Sequence, residues 1–244
     1  LEAVQNEIID DRFQLIRSNF SHLNQYLKFH GISTVDGIIA DFGVSSHQFD
    51  TANRGFSMRL EGPLDMRMNA QNPLSAYKVI NEYSPEKLQG IFRSYGELRI
   101  AKKLTYIIVA KRSQSPIKST QALVNLLAPS LPKNIFNKII AQVFQAIRIE
   151  VNAELDVIKL FLEQSVKALN RGGRLVCISY HSLEDRLVKL FIREGKFEGK
   201  AESDLYGNRN LPFRKIGNLQ VASEDEIKEN SRARSGKLRI GERI

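Results

Sequence analysis

The segment IIADFGVSSHQFD, residues 38–50, decides the fold, because an apolar run ends at Asp41 and turns abruptly polar. The run VDGIIAD (35–41) is apolar enough for a buried strand. Gly43 and two serines follow it, and such residues are common in ordinary turns. The carboxyl end of a parallel strand is also where α/β proteins place ligand-binding groups. Asp41 therefore indicates either a simple turn or one edge of a binding site.

The residues before this strand predict the start of an α/β sheet. Residues 1–9 have a helical pattern, and RFQLIRS (12–18) alternates as a strand does. The segment HLNQYLKFH (22–30) predicts a helix with Ser21 as its cap. Strands that alternate with helices favour a parallel sheet with helical crossovers.

The middle of the chain predicts an inserted helical domain. Ser84-Pro85-Glu86 is a strong helix start, and several short helices follow without a strand pattern. A long amphipathic helix through residues 151–169 then leads to a strand, RLVCISY (174–180). We therefore predict an α/β domain formed by residues 1–72 and 142–244, with an all-helical insertion at 73–141. Residues 195–221 are polar and predict a loop.

A second polar cluster follows the strand at 174–180. Tyr180 and His181 come directly after it, and Ser182-Leu183-Glu184-Asp185 predicts a capping box that opens a helix to about residue 194. In an open α/β sheet this cluster and the one at Asp41 would lie at the same edge. The two clusters together predict a ligand site.

Two other kinds of site are disfavoured by the same residues. Ser45, Ser46 and His181 suggest a nucleophile, yet no Gly-x-Ser-x-Gly elbow is present. The four histidines lack metal-ligand spacing and no Cys-x-x-Cys occurs, so we expect no zinc site. The single cysteine, Cys177, lies in an apolar run and suits a buried position in a cytoplasmic protein.

The charges of the chain favour a polyanionic partner. The net charge is +9 and the basic residues are concentrated in two segments, 93–118 and 227–244. The loop RGFSMRLEGPLDMRMN (54–69) alternates arginines with Phe and Met side chains. Such a loop suits phosphate binding and stacking on a base, or it is a well-packed loop with solvated charges.

Five segments of the chain resemble the bacterial small-subunit (16S) ribosomal RNA cytosine-N4 methyltransferases, which use S-adenosylmethionine. They are DGIIADFGVSSHQFDTANRGFSMRLEGPLDMRM (36–68), YGELRIAKKL (95–104), FQAIRIEVNAEL (144–155), GGRLVCISYHSLEDRLVK (172–189) and NSRARSGKLRIGER (230–243). The resemblance covers nearly the whole chain. It implies a Rossmann-like methyltransferase sheet interrupted by a helical domain, and 16S ribosomal RNA or the small ribosomal subunit as partner. It leaves a homodimer open and implies no membrane.

The resemblance also implies roles for individual residues. Phe20, Asp41 and Gln48 match cofactor contacts, with Phe20 placed to stack on the adenine. The reacting amine would be activated by Asp41, by Ser45 or by backbone carbonyls of the 42–46 turn, while Asp41 alternatively serves the cofactor alone. Tyr180 or His181 would stack on the unstacked target base.

The sequence departs from the family at its start. The family's glycine-rich loop and ribose-binding acid should precede Leu1, so we expect the 244 residues alone to bind the cofactor poorly and to be inactive. The alternative is a truncated, non-catalytic RNA-binding module of the same fold. A DNA amino-methyltransferase is less favoured, because Asp-Phe-Gly-Val replaces the usual motif of Asp, Ser or Asn followed by Pro-Pro and an aromatic residue.

Overall fold

The structure is a computed structural model that describes residue 8 and residues 10–204, 206–207 and 209–244. Its strands are β1 (Val35–Asp41), β2 (Leu169–Ser179), β3 (Phe213–Val221) and β4 (Lys237–Arg243). Its helices are α1 (Leu23–Phe29), α2 (Ser46–Asp50), α3 (Ala76–Glu82), α4 (Pro85–Ser94), α5 (Ala101–Arg112), α6 (Thr120–Leu127), α7 (Phe136–Asn152), α8 (Glu154–Ala168), α9 (Ser182–Glu194) and α10 (Glu224–Glu229). No helix in these ranges combines the length and the apolar character needed to cross a bilayer.

The chain divides into two compact units. The sheet unit comprises Leu1–Phe42 and Asp156–Ile244, and the helical unit comprises Gly43–Leu155. The predicted insertion, 73–141, lies inside the helical unit, which extends beyond it at both ends. The reason is packing: Phe56, Leu64 and Met66, from a stretch without periodic pattern, are buried in the same apolar core as the helices.

The sheet unit contains a mixed sheet with the order β1-β2-β4-β3. β1 and β2 are parallel, whereas β4 runs antiparallel to both β2 and β3. The predicted α/β class is confirmed, but the sheet is mixed rather than parallel. β1 lies at an edge and Ile39 is 77% exposed, so the prediction of a buried strand is wrong in its burial.

Three predicted elements of the sheet unit differ from the structure. Residues 12–18 are irregular rather than a strand, since no strand among the described residues pairs with them. Ser21 does not cap α1, which lacks a side-chain cap; Asn19 instead caps the 3-10 turn Phe20–His22 before α1, where its side chain accepts a hydrogen bond from the Ser21 amide at 2.9 Å. The predicted loop at 195–221 contains β3, a strand whose mostly exposed residues carry little apolar periodicity. The predicted helix at 1–9 lies outside the described residues except for residue 8.

In the helical unit, Ser84 and Pro85 start α4 as predicted, with the Ser84 side chain accepting from the Lys87 amide at 3.2 Å. The long helix predicted at 151–169 corresponds to α8, which begins at Glu154, and a separate helix, α7, occupies the residues before it. Ala153 adopts a left-handed conformation (φ 50°) between α7 and α8, which ends the hydrogen-bonded ladder of α7. An alanine carries no sequence signal for such a break, because alanine is the best helix former.

Candidate active site

Asp41 and Tyr180 lie together at the carboxyl ends of β1 and β2. Asp41, the last residue of β1, is in register with Ile178, and the Phe42 amide donates to the Ile178 carbonyl at 3.0 Å. Tyr180 follows the end of β2 by one residue. Both side chains are exposed at this edge, Tyr180 with 36% of its surface. The structure therefore brings together these two predicted site residues.

The environment of Tyr180 keeps its phenol protonated. Burial of part of the ring, followed by a hydrogen bond to the Asp41 carboxylate, raises the pKa of Tyr180 to about 12. Further negative charge from Glu184 and Glu226 acts in the same direction. A phenol with this pKa is a neutral hydrogen-bond donor to Asp41 over the whole physiological range.

His181 is the N-cap of α9, where the sequence predicted Ser182. Its Nδ1 accepts a hydrogen bond from the Glu184 amide at 3.4 Å, and its Nε2 lies 3.1 Å from Glu184 Oε1. Only 9% of the imidazole side chain is exposed, so little of its face is open for stacking. A histidine was not expected as a cap because Ser, Thr, Asp and Asn dominate this position.

Glu184 is a central residue that the sequence reasoning used only as part of a cap. It is fully buried, and its Oε2 accepts hydrogen bonds from the amides of Tyr180 (2.8 Å) and His181 (3.3 Å). It therefore holds the backbone that carries both aromatic side chains. The available signal was the Glu at the third helical position, once His181 is taken as the cap.

The polar groups of α9 also fix the basic end of the chain. Arg239 in β4 donates to both carboxylate oxygens of Asp185, at 2.7 and 3.1 Å, and the Lys237 ammonium lies 3.7 Å from the same carboxylate. Burial opposes ionisation of Asp185, but these two cations hold its pKa below the ordinary value. Arg243 donates to the Val166 carbonyl at 2.9 Å. These three cations of the predicted basic tail thus have structural partners.

Phe20 lies in an aromatic cluster of the sheet unit. Its ring centre is 5.4 Å from Phe161, in an edge-to-face arrangement, and 5.8 Å from Phe42. Phe42 directly follows Asp41 and is buried, whereas Phe20 remains 42% exposed. A half-exposed aromatic ring near a strand end is suited to contact with a flat ligand.

Ser45 and Gln48 belong to the helical unit, where they form the capping box of α2. The Ser45 Oγ accepts from the Gln48 amide at 3.3 Å, and Gln48 Oε1 accepts from the Ser45 amide at 3.0 Å. These oxygens therefore already serve the start of the helix. Ser45 and Gln48, which the resemblance places in the ligand site, also have the three-residue spacing of a capping box.

The arginine-rich loop is packed by its own contacts. Arg67 forms a two-pronged pair with Asp65, with both distances at 2.8 Å, and lowers the pKa of that carboxyl group. The Arg54 guanidinium donates to the carbonyls of Arg67 and Met68. Arg54 and Arg67 therefore support the well-packed-loop alternative, while Arg59 stays exposed.

Comparison of the sequence with known protein families identifies the family of this chain. The MraW methylase family matches residues 2–244. This chain belongs to the MraW methylase family. The match spans both units, and it confirms the methyltransferase resemblance found in the sequence.

Individual relatives of the family carry one name. A protein of Flavobacterium johnsoniae named ribosomal RNA small subunit methyltransferase H is 55% identical over 243 residues, covering 100% of this chain and 80% of that protein. A protein of Christiangramia forsetii with the same name is 53% identical over 243 residues, with the same coverage. One from Bacteroides fragilis is 46% identical over 243 residues, covering 99% of this chain and 80% of that protein.

Membership in this methylase family makes the protein a methyltransferase. The expectation that a glycine-rich loop and a ribose-binding acid precede Leu1 is not tested by the described residues and stays a prediction. The same is true of the expected inactivity of the 244 residues alone.

Proposed function

We propose that this protein transfers a methyl group from S-adenosylmethionine to the exocyclic N4 amine of a cytidine in 16S ribosomal RNA. The names of the relatives support the substrate. The observation that carries the chemistry is the exposed Asp41 carboxylate beside the neutral Tyr180 phenol, at the carboxyl ends of two parallel strands. This edge is where open α/β sheets bind their ligands.

The reacting amine needs an acceptor at this position. The lone pair of a cytidine N4 is delocalised into the ring, so the amine is a weak nucleophile. A carboxylate that accepts hydrogen bonds from the amino hydrogens restores electron density to nitrogen, and it takes the proton released as the methyl group is bonded. We assign this role to Asp41, with Tyr180 orienting the carboxylate through its phenol. Ser45 and the backbone carbonyls of the 42–46 turn remain the alternative acceptors.

The residues of the sheet unit fit the cofactor in part. S-adenosylmethionine supplies an electrophilic methyl group on a sulfonium centre. The half-exposed ring of Phe20 suits stacking on the adenine. Asp41, the last residue of β1, offers the cofactor a polar contact. We also assign Gln48 to the cofactor: its side-chain oxygen serves the capping box, which leaves the amide nitrogen as the donor.

The partner we propose is ribosomal RNA, which would contact the helical unit through α5. Lys102 and Lys111 are exposed there, and Tyr106 is 75% exposed one helical turn from Lys102. An exposed aromatic among cations suits stacking on bases and contact with phosphates. Lys103 contributes less, since its ammonium donates to the Ser130 carbonyl at 2.7 Å.

The test is the replacement of Asp41 by Asn in the full-length protein. Asn still accepts a hydrogen bond but is neither charged nor basic, so the change should lower methyl transfer by about 10²-fold or more while the fold is retained, because general bases contribute about that factor. Transfer is measured with labelled cofactor on small-subunit RNA, and mass spectrometry of the nucleosides identifies N4-methylcytidine. The matched control is Asp36→Asn, an exposed acid at the other end of β1.

Two results would contradict the proposal in different ways. Wild-type turnover by a folded Asp41→Asn variant would remove Asp41 from the reaction. If the wild-type protein binds the RNA but leaves no methylated cytidine in it, the result would instead favour the non-catalytic RNA-binding module. The capping box of Ser45 and Gln48 is the observation on which that alternative depends, because it satisfies polar groups without a ligand.

A further inference from the structure

A cavity of the sheet unit lies between α9, β3 and β4, at the end of the sheet opposite to β1. Its volume is about 210 Å³. Four of its lining residues are cationic: Lys189, Arg193, Lys215 and Arg239. All the ionisable residues that line it are basic. The cavity is therefore an electropositive site in a protein whose proposed substrate is a polyanion.

Two of the four cations pair with acids and two do not. Arg193 pairs with Glu194 at 2.7 Å, and Arg239 pairs with Asp185. Lys189 and Lys215 are exposed, and across the described ranges neither has a carboxylate partner. The Lys215 ammonium lies 3.4 Å from the neutral side-chain oxygen of Asn218. Two uncompensated ammonium groups thus flank the cavity.

The wall of the cavity between these ammonium groups is apolar. Ile192, Ile216, Leu219 and Ile240 line it. β3 loses register with β4 between Ile216 and Gln220, where Gly217 has a positive φ of 63° and open space around it. This bulge interrupts the ladder and leaves Leu219 39% exposed. An apolar surface between two cations matches the face of a nucleobase between two phosphates.

The cavity is separate from the methyl-transfer site. The methyl-transfer site lies beyond Ser179, at the end of β2, which is in register with Lys237. Arg239, which lines the cavity, lies two positions further along β4, away from that end of β2. Three strand spacings across the sheet from β1 to β3 amount to about 14 Å. The volume is also below the roughly 300–1,000 Å³ of a typical small-molecule site, which favours one unit of a polymer over a free cofactor.

We propose that this cavity binds one nucleotide of single-stranded RNA that flanks the methylated cytidine. The base lies against Ile216 and Leu219, and the adjacent phosphates contact Lys189 and Lys215. This assignment rests on the proposed function, from which it takes RNA as the substrate. It adds a contact outside the reaction centre that fixes the register of the strand.

The test compares two double variants that remove the same charge. Lys189→Gln with Lys215→Gln empties the cavity of its free cations, and Lys159→Gln with Lys200→Gln removes two lysines outside it. Binding of a fluorescein-labelled single-stranded oligoribonucleotide is measured by anisotropy over a range of salt concentrations. The cavity variant should bind about tenfold more weakly, with a salt slope smaller by about 1.4, because two phosphate contacts are lost. The control variant should retain most of its affinity.

A third variant tests the apolar wall. Leu219→Ser, at an exposed position that should not affect folding, is expected to weaken RNA binding severalfold with an unchanged salt slope. Equal affinity and slope for the cavity and control variants would overturn the proposal. So would a cavity variant that loses binding to labelled polyglutamate but not to RNA, which would assign the cavity to an acidic protein.

The same proteins separate this proposal from the proposed function. If the wild-type protein methylates small-subunit RNA while the cavity variant binds RNA normally, only the nucleotide site is wrong. If the wild-type protein methylates no cytidine but the cavity variant loses RNA affinity as described, the site stands as an RNA site and the proposed reaction is wrong.

Discussion

The contact between Tyr180 and Asp41 depends on a protonated phenol. In the proposed reaction Asp41 accepts a hydrogen bond from the amine, and the phenol donates to Asp41 and orients it. Burial and the Asp41 carboxylate together favour the neutral form of Tyr180. The Tyr180 phenol therefore remains a hydrogen-bond donor to Asp41 at neutral pH.

Titration of the phenol tests this arrangement. The folded-state pKa of Tyr180, about 12, is above the ordinary value of 10.0. Its contribution to stability is therefore complete below about pH 10, and is lost as the pH rises from about 10 to about 12. We expect the phenolate absorbance of the wild-type protein and of Tyr180→Phe to coincide up to about pH 11. Above that pH the wild-type absorbance should exceed that of the variant by the contribution of one phenolate.

The titration has a clear opposing result. The protein has seven tyrosines, so the subtraction of the Tyr180→Phe spectrum is required. A difference of one phenolate that already develops near pH 10 would mean that Asp41 and burial do not act on this residue.

Helix ends, more than helix interiors, distinguish the observed elements from the expected ones. The N-cap of α9 is His181, one residue before the expected cap at Ser182. Only Ala153 separates α7 from α8. In both places a tertiary requirement selects the conformation of a residue with weak local preference for it. The cap at His181 allows Glu184 to hold the Tyr180 amide, and the break at Ala153 begins a new helix.

Ala153→Gly is expected to stabilise the protein. The left-handed conformation at Ala153 costs an L-residue roughly 1 kcal/mol, and glycine adopts it without that cost. Allowing for the greater entropy of glycine in the unfolded chain, we expect a gain of about 0.5 kcal/mol in the free energy of unfolding. Chemical denaturation measures it.

The control for this change is Ala110→Gly in α5. Ala110 is exposed within a regular helix, where glycine should cost about 1 kcal/mol. Equal destabilisation by the two glycines would show that Ala153 is not held in the left-handed region.

The two compact units differ in how the chain builds them. The buried apolar residues of the helical unit all come from one continuous segment, 43–155, which includes Phe56 and Val151 near its two ends. The sheet unit is formed from two segments of the chain, and the segment 43–155 separates them. A core supplied by one continuous segment satisfies the usual condition for independent folding.

We therefore expect the segment 43–155 to fold when it is produced alone. It should unfold cooperatively on heating, as measured by far-ultraviolet circular dichroism. Leu104→Ala, at a fully buried position, should lower its stability by about 2–5 kcal/mol. The exposed change Lys102→Ala serves as the control and should have little effect. A gradual, non-cooperative melt would show that this core depends on the rest of the chain.

Local pattern was sufficient for β1, β2 and the start of α4, because side-chain periodicity and caps act over a few residues. It also placed Asp41 and Tyr180 at strand ends, and parallel pairing then requires those ends to meet. The β3 strand and the burial of the 54–69 loop could not be inferred, since neither has a periodic pattern. Both depend on partners far away in the chain, such as β4 for β3.

The residues alone established the α/β class, the strand-end cluster and the family resemblance, because these depend on local chemistry and on long matching segments. Only the tertiary structure showed which polar groups are already used. Arg239 and Arg67 have the charge for RNA binding, yet each pairs with an acid, Asp185 and Asp65. Lys189 and Lys215 are ordinary in sequence, and they carry the proposed nucleotide site because no acid in the described ranges pairs with them beside the apolar wall. Charge is encoded residue by residue, but its compensation is decided by which side chains the fold brings within contact distance.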